Sequence, residues 1–206
     1  MNRVERRQHY PDCTPRDIRG LIPGGCVTIA PVRFGPLRKC YPAGPPIEYI
    51  DMYNPFMARA IQSSLENIRA GLGGPFAAVV VKDGKIIAEG TNGVTSTNDP
   101  TAHAEVVAVR EACRKLGHFE LTGCEIYTTC EPCPMCLGAI YWARPARVYY
   151  GCTAADASEA GFDDSFIYEE IGRPHAQRKI PMIQMMREEA LEAFRAWEKK
   201  QDKIKY

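Results

Sequence analysis

The chain has 206 residues, 45% hydrophobic and 25% charged, an ordinary globular composition that excludes collagen-like, coiled-coil and largely disordered chains. No apolar run approaches the ~20 residues that cross a bilayer, and no apolar core follows the charged stretch Met1–His9, so neither a membrane span nor a signal peptide is expected. The net charge of +1 is uneven: residues 1–46 hold 8 Lys+Arg against 3 Asp+Glu, and residues 47–206 hold 18 against 22, too acidic for a broad nucleic-acid footprint.

Residues 1–46 contain 8 Pro and 5 Gly and read as an irregular extension, with at most one short strand near Val27–Val32. A compact domain is expected over 47–206. Its first helix carries Ile61, Leu65, Ile68 and Leu72 on one stripe and ends at Gly71, Gly73 and Gly74. Phe76-Ala77-Ala78-Val79-Val80-Val81 reads as a buried strand, Asp83-Gly84 as a hairpin turn, and Ile86 to Gly90 as the returning strand. A loop at Asn98–Thr101 precedes a helix from about Ala102 to Leu116. Then come a strand at Cys124–Thr129, a helix at Pro134–Trp142 and a strand at Arg147–Tyr150. A helix over Asp163–Ile171, a fifth strand over Ile180–Met186 and a helix over Glu188–Lys200 complete the series. This order predicts a three-layer α/β/α sandwich around a five-stranded, mostly parallel mixed sheet.

Nine cysteines, an odd number without a visible secretory signal, do not form a disulfide framework. Three of them (Cys130, Cys133, Cys136) lie within seven residues. That cluster points to metal binding in a reducing compartment, the cytoplasm. Cys133-x-x-Cys136 opens a helix, where unpaired N–H groups and the dipole stabilise thiolates. His103 starts another helix. If the two helix starts face each other, two thiolates and an imidazole converge, a ligand set that prefers zinc. Three protein ligands leave one tetrahedral position for water, the arrangement of a catalytic site. Glu105 stands two residues beyond His103, within reach of that water and able to move its proton. A structural zinc module is the rival reading, with Cys130 closing a four-ligand site.

Thr101-Ala-His-Ala-Glu105 and Cys130-Glu-Pro-Cys-Pro-Met-Cys-Leu-Gly138 resemble the cytidine-deaminase-like superfamily on its purine side; the His-x-Glu and Pro-Cys-x-x-Cys elements are its zinc and proton-transfer signature. Ala139-Ile-Tyr-Trp-Ala-Arg-Pro145 and Glu159-Ala-Gly-Phe-Asp-Asp-Ser-Phe-Ile-Tyr168, with a terminal Tyr206, resemble the bacterial guanine deaminases of this fold. The resemblance covers roughly residues 53–206 and leaves 1–46 unexplained.

It implies one Zn2+ per subunit on His103, Cys133 and Cys136, with Glu105 as proton shuttle and Cys130 not a ligand. It implies hydrolysis of guanine to xanthine and ammonia, with Asn92 on a purine edge, Phe76 stacked on the base and Trp142 walling the pocket. A carboxylate accepts but does not donate, which suits the donors of guanine, and the resemblance favours Asp164 over Asp163 for that role. It also implies a homodimer with exchanged C-terminal segments, in which Tyr206 closes the partner's pocket. A tRNA adenosine deaminase shares the zinc and Glu105 but needs a basic face; guanosine and aminated triazines are nearer alternatives.

Overall fold

The computed structural model describes residues 53–205. The extension expected over 1–46, its short strand and the boundary at 47 lie outside the described residues. The described chain begins with α1 (Pro55–Arg69), the strands β1 (Ala77–Lys82) and β2 (Lys85–Thr91), a one-turn α2 (Val94–Thr97) and α3 (Ala104–Leu116). It continues through β3 (Cys124–Cys130), α4 (Pro134–Ala143), β4 (Arg147–Cys152), α5 (Ala154–Glu159) and α6 (Ser165–Gly172). A 3-10 turn at His175–Gln177 and α7 (Arg187–Lys199) complete it.

Among the described residues the sheet has four strands in the order β2-β1-β3-β4. β1 runs antiparallel to both β2 and β3, and β3 runs parallel to β4. Three strands therefore point the same way and β1 is inserted against them, so the expected parallel majority holds for direction but for only one of the three pairings. The fifth strand, expected over Ile180–Met186, does not form. Pro181 has no N–H for a ladder, and every residue from Pro181 to Ala190 is exposed, so the segment is not packed on the sheet.

The sheet is covered on both faces, which is why β1 reads as a continuous apolar run rather than an alternation. Ala78 and Val80 face one core with Ala104, Ala108, Leu121, Ile126 and Ile140 under α3 and α4. Val79, Val81 and Tyr127 face the other with Ala60 of α1, and Phe56 and Met57 pack beside them. Gly90 sets how closely α3 lies on β2. A Cβ there would sit 2.3 Å from the Ala104 carbonyl oxygen and 2.5 Å from the Ala108 nitrogen, so a larger residue would push the start of α3 off the sheet.

The docking of α1 corrects the sequence pattern. Ile61, Leu65, Ile68 and Leu72 are each about half exposed, and the inward face is Ala60, Ser63, Ser64 and Asn67. The sheet face beneath is already filled by valines and a tyrosine, so small side chains fit against it and the larger stripe is turned outward. Polar pins hold this face down. Arg59 donates Nε and Nη2 to the two carboxylate oxygens of Glu89 at 3.0 and 2.7 Å, and Ser63 adds a bond to the same group at 3.2 Å. Asn54 caps the helix by accepting from the Phe56 and Met57 N–H groups, with Pro55 in the first turn.

Candidate active site

One end of the sheet gathers the functional side chains: Phe76 precedes β1, Asn92 follows β2, and β3 runs out through Glu131 to Cys133. Ligands collect at the carboxyl ends of strands in such sheets, because the chain there turns into helix starts rich in free N–H groups. Two of those starts meet. His103 is the N-cap residue of α3, and Cys133 is that of α4, where its Sγ accepts the Cys136 N–H at 3.5 Å.

His103 Nδ1 lies 3.5 Å from both Cys133 Sγ and Cys136 Sγ. A tetrahedral zinc with bonds of about 2.3 Å to sulfur and 2.0 Å to nitrogen places such atoms about 3.6 Å apart, so the three donors already have the spacing the ion requires. They are the one such group among the described residues. Cys133 is the natural thiolate. The Cys136 thiol, the His103 ring and the Cys136 N–H all bond to it, and together they hold its pKa down at about 4. The same thiolate pushes the His103 pKa up.

Cys130 stays out of the group. Its thiol points to the Thr153 carbonyl oxygen at 3.6 Å, and burial pushes its pKa up to about 11. The four-ligand closure therefore does not assemble. Glu105, in the first turn of α3, is 7% exposed, and its Oε2 accepts from the Cys136 thiol at 3.5 Å. Burial, with the nearby Cys133 charge, raises its pKa, so this carboxyl holds a proton more readily than a solvated one.

His103, Glu105 and Cys133 line a cavity of about 380 Å³, a size suited to a small molecule. Asn92 and Phe76 line it too. Asn92 is buried, and its Oδ1 accepts from the N–H groups of Gly74 and Val94 at 3.3 and 3.4 Å. Because the oxygen end is held by two donors, the Nδ2 end is the one set to donate to a ligand. Phe76 makes an edge-to-face contact with Phe162, ring centres 4.9 Å apart.

Residues 51–152 match the family described as the cytidine and deoxycytidylate deaminase zinc-binding region. Guanine deaminase of Bacillus subtilis is 58% identical over 151 residues, 73% of this chain and 97% of that protein. This chain belongs to that zinc-binding deaminase family. A solved structure of the Bacillus subtilis guanine deaminase matches with a TM-score of 0.73 at 56% identity, covering 75% of this chain and 99% of that one. A tRNA-specific adenosine deaminase of Agrobacterium fabrum is 49% identical over 77 residues, only 37% of this chain and 51% of that protein.

The remaining expected residues divide. Asp163 and Asp164 both line the cavity, and Asp163 Oδ1 accepts the Ser165 N–H at 2.9 Å. Asp164 stands at the N-cap position of α6 without a side-chain cap bond, and partial burial and the Cys133 charge raise its pKa. Trp142 is not among the cavity residues. It is 64% exposed on α4, six residues past Cys136 and so turned well round the helix axis and about 9 Å along it. Tyr206 lies outside the described residues.

Two contributors escaped sequence reasoning. Phe162 sat inside a quoted motif with no role, because an aromatic in an exposed loop has no period to mark it. Asn67 sat on the apparent polar side of a helix. Among the described residues no helix is long and apolar enough to cross a membrane.

Proposed function

We propose that this chain catalyses the hydrolytic deamination of guanine to xanthine and ammonia, on one Zn2+ per subunit held by His103, Cys133 and Cys136. The observation that carries the reading is the buried Glu105 carboxyl, fixed beside the metal donors on the cavity wall. Zinc bound there supplies Lewis acidity, which makes water a nucleophile at neutral pH. Glu105 takes one proton as the water oxygen bonds to the amino-bearing ring carbon and gives it to a ring nitrogen, then takes the second proton from that oxygen and gives it to the departing amine. The carbon–nitrogen bond breaks and ammonia leaves with the proton.

Asp164 accepts from the N–H donors of guanine, and Asn92 donates to an acceptor on the purine edge. Phe76, braced by Phe162, offers its ring to the base. Adenine and cytosine present a different donor pattern to the same carboxylate.

The working form is a homodimer with exchanged C-terminal segments, in which Tyr206 of one subunit closes the pocket of the other. The apolar residues left exposed on α6, α7 and the outer stripe of α1 support this. A cytoplasmic location agrees with thiols that must stay reduced to bind metal.

The test is a panel of guanine, guanosine, adenine, cytosine, aminated triazines and an anticodon stem-loop, assayed for ammonia with zinc quantified in the same sample. Guanine is expected to lead by a wide margin. Faster release from the stem-loop, or from cytosine, would replace this reading.

A further inference from the structure

Asn67 belongs to the last full turn of α1, on the face that packs against the sheet, and is 4% exposed. It does not border the cavity. Its Nδ2 donates to two backbone carbonyls, Gly74 O at 3.1 Å and Asn92 O at 2.9 Å. A carboxamide nitrogen has two hydrogens, and both are used. The two acceptors belong to chain segments that are 18 residues apart and form adjacent parts of the cavity wall. One is the loop entering β1 just before Phe76. The other leaves β2 at Asn92.

The same two segments are tied again from the other side. Gly74 N–H donates to Asn92 Oδ1, and Asn92 N–H donates to the Phe76 carbonyl at 3.0 Å. The approach leaves no slack: a Cβ on Gly73 would sit 2.0 Å from the Asn92 carbonyl oxygen. Asn92 is thus held at both ends, its backbone carbonyl by Asn67 and its side-chain oxygen by Gly74 and Val94, so that only Nδ2 is presented to the cavity.

We infer that Asn67 is a positioning residue for substrate: its carboxamide locks the Gly74 and Asn92 segments together and so presets the purine-edge donor before guanine arrives. This rests on the proposed reading of Asn92 as a guanine contact. Without the lock, the Asn92 donor and the Phe76 ring sample other positions, and substrate binding must restore them at the expense of affinity. Both Asn67 donors go to Gly74 and Asn92 rather than to His103, Glu105 or either cysteine, so the chemical step itself is left alone.

The test is steady-state kinetics on the zinc-loaded enzyme, with rates taken per bound zinc. Asn67→Ala is expected to raise KM for guanine roughly tenfold or more while kcat changes less than about threefold. Asn67→Gln keeps both donors but displaces them by one methylene. It is expected to move KM in the same direction by a smaller factor, and it carries the test if the alanine variant does not fold.

A purely structural role in docking α1 would lower Tm and leave KM of the folded enzyme unchanged, and that result overturns the inference. In an Asn92→Ala background the KM effect of Asn67→Ala should vanish while its Tm effect persists; full additivity in KM also overturns it.

If the wild-type enzyme releases no ammonia from guanine, the functional reading fails, and hydrogen exchange judges the lock by itself. The amides of Gly74, Asn92 and Val94 should exchange at least about tenfold faster in Asn67→Ala, with those of α3 unchanged. Equal exchange in the two proteins shows that no lock exists.

Discussion

The strand β1 and the segment from Thr153 to Lys205 are similarly apolar in places, yet they behave oppositely. Ala77 to Val81 are at most 2% exposed, enclosed by α1 on one face and α3 and α4 on the other. In the later segment α5, α6 and α7 bury no residue at all, and Ile183 and Phe194 are 83% and 67% exposed. Apolar side chains in the first region find cover within their own chain. Those in the second have helices of normal geometry but, Phe162 against Phe76 apart, little cover among the described residues. The helices packed on the first region, α3 and α4, carry Glu105 and the metal donors at their starts. The second supplies Phe162 and Asp164 to the cavity wall from a segment with little packing of its own. The cavity thus takes His103, Glu105 and Cys133 from the buried region and Phe162 and Asp164 from the exposed one.

The sharpest way to test that division is Glu105→Gln. It should retain zinc and lose turnover by about 10²- to 10⁴-fold, as read by metal analysis and ammonia release on one preparation. Next, the two regions should answer differently to truncation of one large side chain. Ile126→Ala, at a fully buried site, is expected to lower unfolding free energy by about 2–5 kcal/mol in urea titration. Phe194→Ala should change it by no more than about 0.5 kcal/mol for the isolated subunit, yet weaken self-association in sedimentation. Equal destabilisation by both would erase the contrast.

Removing Lys205 and Tyr206 is expected to reduce turnover roughly tenfold with zinc content unchanged, as loss of a lid would. The smallest effect belongs to the fork between α1 and β2. Arg59 holds the Glu89 carboxyl below its ordinary value, so the stabilisation it gives is present above pH ~4.5 and fades as acid protonates the folded carboxylate. Glu89→Gln should therefore lose less than about 1 kcal/mol at neutral pH and show a shallower fall in stability below pH 5.

Much of the buried region was legible from residue order. An apolar run bounded by Gly74-Pro75 and Asp83-Gly84 left little choice but a strand and hairpin, and the positive φ values at Asp83 and Gly84 agree. Pro134 beside Cys133 announced a helix start, and the structure puts the thiolate at its cap. The failures came where packing decides orientation. The stripe Ile61–Leu65–Ile68–Leu72 is a correct helix signal, but periodicity says only that a helix has two faces. The bulk already beneath the helix determines which face turns inward. The run Ile180–Met186 looked like a strand because hydropathy cannot see that the segment pairs with no strand of the described sheet.

From the amino-acid order alone came the local facts: which residues cap helices, which turns close, and which side chains have the chemistry to hold zinc and carry a proton. Tertiary structure decided the long-range ones. It placed His103 within 3.5 Å of two thiols about thirty residues away, and it turned the Cys130 thiol to a carbonyl instead. It left Trp142 off the cavity wall and brought Asn67 onto two loops that only folding makes neighbours. Capping and turn formation depend on bonds between near neighbours in the chain, whereas convergence at a site depends on how whole layers share one core.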